Sequence, residues 1–217
     1  MRARERRAGA SGGFTLLELL IAMAMLALIA GSVTAGLRIA AASIERGEEA
    51  AREAARLRAA VVLVERSIRS ADPARVPGGS GRPPFFIGDA KSIRFLTARP
   101  PAAAGPGGPR LMSFHEAPGP DGGLAASTIS PFRAGGVESW DAAAGRRILL
   151  PGAGALAFSY SSGPDADGNW EWADTWDMRE KGNLPAAVRV EFTILGKGEP
   201  RKTAFVVTVP AGGGLGR

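Results

Sequence analysis

Gly13-Phe14-Thr15-Leu16-Leu17-Glu18 opens an apolar stretch that runs on to Leu37, and the reading of this stretch decides the fold. From Leu19 to Leu37 there are nineteen consecutive residues without a charge, rich in Leu, Ile, Ala and Met. As a helix rising about 1.5 Å per residue they span roughly 28 Å, close to the hydrocarbon thickness of a bilayer. Ahead of them, Arg2, Arg4, Arg6 and Arg7 are opposed only by Glu5, so the first thirteen residues carry a net +3. Behind them, Arg38 and Arg46 face Glu45, Glu48 and Glu49. This asymmetry of basic residues predicts a cytoplasmic N-terminus and an exported remainder.

A cleaved secretory signal, a plain signal anchor and a more specific segment compete for the stretch. A secretory signal has a shorter apolar region followed by a small-residue cleavage site, whereas this run continues into helix-compatible sequence. A plain anchor has no use for Glu18, because a carboxylate among lipid tails costs on the order of 2 to 3 kcal/mol at the bilayer centre and usually marks a partner. Residues 14–72 contain only three Gly and no Pro, so one helix is expected up to Asp72-Pro73. Its second part changes character: Leu57, Val61, Val64 and Ile68 form one amphipathic stripe, with Arg56, Arg58, Glu65, Arg66 and Arg69 off it. Glu48 with Arg52, and Glu65 with Arg69, are spaced to pair on the exposed side.

The succession of basic leader, Gly13, Phe14, Glu18 and apolar helix resembles the class III signal of type IV pilins and type II secretion pseudopilins. The resemblance implies that a membrane-embedded prepilin peptidase cuts between Gly13 and Phe14 on the cytoplasmic side, that Phe14 is N-methylated, and that the helix stays in the chain. Removing 13 of 217 residues would leave a mature chain of 204. Cleavage would create an ammonium at Phe14, four residues before Glu18 and on the same helical face. Glu18 can neutralise it within the chain, or meet the Phe14 ammonium of a neighbouring helix in a filament, where low dielectric makes an unpaired charge costly. The simpler alternative is that Glu18 complements the positive end of the helix dipole, worth about 0.3 to 1 kcal/mol.

The expected organisation is a leader at 1–13, a membrane or filament-core helix at 14–37, an amphipathic periplasmic continuation at 38–72, a β-rich periplasmic domain at 73–210 and a flexible tail at 211–217. Between Pro73 and Gly136 lie 23 of the chain's 46 Gly and Pro residues, so that part is expected to be turn-rich and partly mobile. Ser92 to Thr97 and Leu111 to His115 have strand length and alternation. Clearer strands follow, with Leu156, Phe158 and Tyr160, then Val188, Val190, Phe192 and Ile194, then Phe205, Val207 and Val209 each on one face. Such strands bury one face and need the 57–68 stripe as cover. The fold class is therefore α+β: a pilin-like long N-terminal α-helix packed by its C-terminal half on an antiparallel β-sheet domain.

Leu156-Ala157-Phe158-Ser159-Tyr160, the Trp170, Trp172 and Trp176 cluster, and Asn183-Leu184-Pro185-Ala186-Ala187-Val188 resemble, in this order, the C-terminal half of the minor pseudopilins of the J type in type II secretion. That resemblance implies a non-enzymatic, cofactor-free role in the inner membrane and then at the tip of a periplasmic pseudopilus. The implied partners are the I and K minor pseudopilins, other pseudopilus subunits, the prepilin peptidase, and the secretin or exported substrate. A minor pilin of a type IV pilus or of a DNA-uptake pseudopilus shares the signal and the helix and is the nearest alternative. A membrane-anchored periplasmic enzyme is the alternative from another class.

Composition narrows the chemistry. The chain has no Cys and a single His, His115, which excludes thiol mechanisms, disulfides and zinc sites built from Cys or His clusters. His115 has no nucleophile at an interpretable spacing and reads as a packing or surface residue. The net charge of +6 falls to +3 when residues 1–13 are set aside, and no basic and aromatic strand pattern or recognition helix accompanies it, so nucleic acid is not an expected partner. Asp165, Asp167 and Asn169 alternate like the opening ligands of a calcium loop. Gly168 and Trp176, however, occupy the wrong places for an EF-hand, which makes a polar hairpin turn the better reading. Trp170, Trp172 and Trp176 are candidates either for an exposed partner contact or for a cap on the sheet core.

Overall fold

The computed structural model describes residues 15–73, 85–97, 100, 108–119, 122–131, 146–195 and 199–210. The leader, Gly13, Phe14, the 211–217 tail and much of the Gly/Pro-rich region lie outside the described residues. The chain divides into two units, Met1–Glu53 and Ala54–Arg217.

Within the first unit, the helix α1 (Leu16–Arg69) begins, and every residue from Leu16 to Glu53 is exposed, including Leu19, Leu20, Ile21, Met25 and Leu28. By length and composition, α1 is apolar enough to cross a membrane. Its two hydroxyl residues at mid-stretch are satisfied within the helix, Ser32 Oγ donating to Leu28 O at 2.8 Å and Thr34 Oγ1 to Ala30 O at 2.7 Å. Such bonds let polar side chains sit where no water is available.

The second unit takes over α1 from Ala54. There the anticipated stripe packs inward: Val64 and Ile68 are fully buried, Leu57 and Val61 are partly buried, and Ala60 and Ser67 join them. Glu48–Arg52 and Glu65–Arg69 pair as their spacing predicts. The helix stops at Arg69, short of Asp72-Pro73, because the chain leaves it to pair with the sheet: Ala71 bridges Thr97, Asp72 N–H donates to Leu96 O at 2.9 Å, and the Ser70 and Thr97 hydroxyls lie 2.8 Å apart.

Two antiparallel sheets follow. The first comprises β1 (Phe86–Gly88), β2 (Ser92–Thr97), β3 (Arg110–Ala117), β4 (Gly123–Ile129), β5 (Arg147–Pro151) and β7 (Trp176–Asp177), in the order β5-β4-β3-β2-β1-β7. The second comprises β6 (Ala153–Ser161), β8 (Ala187–Ile194) and β9 (Arg201–Thr208), in the order β6-β8-β9. A single turn of helix, α2 (Met178–Lys181), follows β7; Asp177 caps its start and Gly182, at φ 77°, ends it.

The strands anticipated at 92–97 and 111–115 are β2 and the centre of β3, and the three C-terminal patterns are β6, β8 and β9. Phe86, Phe95 and Phe114 from the first sheet meet Leu156, Phe158, Tyr160, Val188, Val190 and Phe192 from the second, with Val64 and Ile68 of α1 in the same core. The two sheets are also joined by polar contacts. Tyr160 Oη donates to Asp89 O at 3.0 Å, and burial, with the nearby Asp89 charge, pushes its phenol far above the usual range. Leu156 N–H donates to Glu116 Oε2 at 3.0 Å.

Candidate functional site

Two places hold the residues singled out from the sequence: the start of α1, and the loop between β6 and β7 with the sheet surface beneath it. At the start of α1, Thr15 Oγ1 accepts the Glu18 N–H at 3.3 Å, and Thr15 O accepts the Leu19 N–H at 3.2 Å. Thr15 is thus the N-cap, holding one of the amides that a helix start leaves without a partner. The signal for it was present in the spacing Thr15-x-x-Glu18, the pattern of a capping box, although Thr15 is not among the residues singled out from the sequence. Glu18 is exposed in the first turn, and among the described residues no cation pairs with its carboxylate. The structure therefore places Glu18 at the positive end of the helix, where a neighbouring molecule can reach it; Gly13 and Phe14 are outside the described residues.

The three tryptophans separate. Trp176 is 4% exposed and packs with Met178 and Leu184 in the core, its indole N–H donating to Asn183 O at 3.0 Å. Buried indoles need such an acceptor. Trp176 is therefore not available as a contact residue, which corrects its place among the partner candidates. Trp170, by contrast, is 41% exposed and stacks on Trp172, with ring centroids 6.0 Å apart and 21° between planes. Over the Trp172 ring lies the Arg189 guanidinium, 4.0 Å from the ring centroid, a cation–π contact that holds the pair over the outer face of β8 and β9. Trp170, Trp172, Arg189, Val206 and Thr208 line a shallow groove of about 310 Å³.

This division predicts opposite outcomes for alanine substitution. Trp176→Ala is expected to cost about 3 kcal/mol in denaturant unfolding of the full chain in detergent. Trp170→Ala is expected to stay within about 0.5 kcal/mol of the parent. Equal losses at the two positions would contradict the assignment of one to the core and the other to the surface.

The Asp165, Asp167 and Asn169 alternation builds a turn. Asp165 Oδ1 accepts the N–H groups of Asp167 at 2.9 Å and Asn169 at 2.8 Å, Asp165 N–H donates to Asn169 O at 2.8 Å, and Pro164 bridges Trp170. Gly168, at φ 85°, supplies the left-handed residue that closes it. The carboxylate is thus engaged with its own backbone, in the turn that leads into Trp170. No group of three His, Cys, Asp or Glu side chains suited to a metal occurs among the described residues.

His115 is half-buried on β3, opposite Ser92 and Ala125, with Nδ1 at 3.4 Å from Ser113 Oγ. Burial first, and the Arg146 charge second, hold its pKa below the ordinary 6.5, so the neutral ring is favoured. The adjoining Ser113 is 1% exposed, so its hydroxyl is closed off from a substrate and the two do not form an accessible catalytic pair.

Comparison with known proteins bears on both places. Residues 9–34 match the family described as the prokaryotic N-terminal methylation motif, and the match covers Gly13, Phe14 and Glu18. Over 209 residues, 95% of this chain and 96% of the other, the chain is 27% identical to a protein of Xanthomonas campestris pv. campestris named Type II secretion system protein J. The resemblance read from the signal and from the C-terminal strands is borne out at both levels: the chain carries a class III N-methylation signal, and it is a distant homologue of type II secretion system protein J with a long N-terminal helix on antiparallel sheets.

Proposed function

We propose that the chain is a minor pseudopilin of the J type, anchored in the bacterial inner membrane by the apolar part of α1 and drawn from there into the tip of a periplasmic pseudopilus that serves protein export. The observation that carries this reading is the similarity to type II secretion system protein J along nearly the whole chain. The methylation motif alone is shared with type IV pilins, and the chain-long match is what favours secretion over a pilus. Support also comes from the uninterrupted exposure of Leu16 to Leu37, an apolar surface of a kind that a lipid bilayer or a neighbouring helix covers.

The role is one of assembly rather than of catalysis. A peptidase would remove residues 1–13 and expose the Phe14 amine, which is then methylated. The helix would pack laterally against those of the I and K minor pseudopilins, while the two-sheet domain presents the contact surfaces on the periplasmic side. N-terminal sequencing and intact mass of the protein from cells that hold the peptidase test the reading. The expected result is a chain beginning at N-methylated Phe14. Retention of Met1 in such cells, or a new terminus beyond Leu37, would overturn it.

A further inference from the structure

The second sheet has two edges, and the molecule treats them differently. The β6 edge is closed in several ways. Its register shifts between Gly154 and Ala157, where Ala155 takes φ 51°, and such a bulge twists an edge away from pairing. Tyr160 exchanges both backbone hydrogen bonds with Ala173 at 2.8 Å, and Phe158 N–H donates to Ala90 O at 3.1 Å. The β9 edge has no counterpart among the described residues. β9 pairs with β8 without interruption from Arg201 to Thr208, so every second residue turns its N–H and C=O away from β8.

Charge guards only one end of this edge. Lys202, paired with Glu191 at 3.0 Å, sits at the start of β9, while Ala204 to Thr208 carry no charge, and Val206 is 50% exposed on the outer face. Beside that unguarded stretch lies the groove of Trp170, Trp172, Arg189, Val206 and Thr208. Arg189 is the one charge lining the groove, and no carboxylate among the described residues pairs with it. Among the described residues β9 thus offers an open strand edge with an apolar seat on the adjoining face, the elements of strand addition, in which backbone bonds supply affinity and alternate side chains supply selectivity, and the Arg189 charge beside them favours an acidic segment.

We propose that the Ala204 to Thr208 edge of β9 takes up an extended acidic segment of a partner polypeptide as an added strand, an apolar side chain of that segment seating between Trp170 and Val206 and a carboxylate meeting Arg189. This goes beyond the assembly reading and does not depend on it, since it uses only the surface of the second unit. The stacked indoles also have the form of a sugar platform, but a sugar makes no use of the open backbone edge, which favours a peptide.

The test is fluorescence anisotropy with the full chain in detergent micelles and a labelled octapeptide of alternating Val and Glu. Four comparison probes are the Val and Lys counterpart, the Val and Glu peptide N-methylated at its odd residues, the same peptide N-methylated at its even residues, and maltohexaose as competitor. Saturable binding of the Val and Glu peptide is expected, about tenfold weaker for the Lys peptide and lost for at least one N-methylated register. Arg189→Gln should abolish the preference for Glu over Lys, and Val206→Asp should weaken binding about tenfold, with thermal melting retained in each variant. Binding that survives N-methylation in both registers, equal affinity for the two charge types, competition by maltohexaose, or a chain dimer in sedimentation that excludes the peptide would each overturn the proposal. N-terminal sequencing judges the assembly reading separately, so failure of either leaves the other standing.

Discussion

Glu18→Ala is expected to leave the protein inserted in the inner membrane and to lower its recovery in assembled filaments by more than about a hundredfold relative to the membrane pool. The size follows from the proposed pairing of Glu18 with the Phe14 ammonium of a neighbouring subunit: removing one partner of a buried ion pair costs about 3 to 5 kcal/mol, since the ammonium left behind would have no solvent to turn to. Insertion survives because deleting a charge from an apolar helix only favours the membrane. Alanine alone does not identify the cause, because Glu18 also occupies the first turn behind the Thr15 cap, where a carboxylate complements the dipole for about 0.3 to 1 kcal/mol. Glu18→Gln makes the distinction: it retains the hydrogen-bonding capacity of a capping box and removes the charge. Pairing between subunits predicts that Gln fails as Ala does, whereas a local helix-start role predicts that Gln loses at most about fivefold, the worth of a dipole interaction of about 0.3 to 1 kcal/mol. Immunoblotting of sheared filaments against membranes, in cells supplying the other subunits, reads the difference. Normal incorporation of the Gln variant would end the pairing mechanism.

How much of this was legible beforehand differs along the chain, for physical reasons. The helix and its stripe were readable because Leu57, Val61, Val64 and Ile68 keep a helical period, and because no Gly or Pro interrupts the second part of α1 beyond Gly47. β6, β8 and β9 were readable because each buries one face, so that Phe158 and Tyr160, or Val190 and Phe192, alternate with exposed or half-exposed neighbours. β4 escaped notice because Gly123-Leu124-Ala125-Ala126-Ser127 is buried on both faces, which removes the alternation, and because small residues carry little hydrophobic signal. β1 and β7 are too short to show any period; they exist only through pairing with β2 and with each other. The division of the strands into two sheets was equally hidden, since it is set by Tyr160 and Glu116 reaching between sheets, contacts distant in sequence. At the candidate sites, Glu18 announced itself as a charge where none belongs. The difference between Trp176 and Trp170 did not, because both are tryptophans in the same polar loop region and only the Asn183 carbonyl and the core around Met178 separate them.

Gly88→Val tests the junction that alternation did not reveal. A Cβ at Gly88 would lie 2.1 Å from Tyr160 Oη and 2.2 Å from its Cζ, far inside contact distance, and the obstacle is a fully buried ring rather than the tip of a flexible chain. Retreat of the backbone is hindered on both sides, since Gly88 is paired with Ile93 of β2 and with Trp176 of β7. Tyr160 must therefore turn out of its place against Phe86, where the rings meet edge to face at 6.2 Å, and give up its bond to Asp89 O. Overpacking of about 1 to 3 kcal/mol, added to about 1 to 3 kcal/mol for a buried hydroxyl deprived of its acceptor, places the expected loss near 4 kcal/mol. Urea unfolding of the full chain in detergent should show the midpoint falling with an unchanged slope. The cause is isolated by a double-mutant cycle, because Tyr160→Ala removes the ring that the introduced valine side chain would strike. Tyr160→Ala alone should cost about 3 to 5 kcal/mol, and the double variant should be at least about 2 kcal/mol more stable than the sum of the two losses. Losses that add to within about 0.5 kcal/mol would show that Gly88 is required for its own backbone and not for the approach of Tyr160, and the joint between the two sheets would then have to be sought at Glu116 and Leu156.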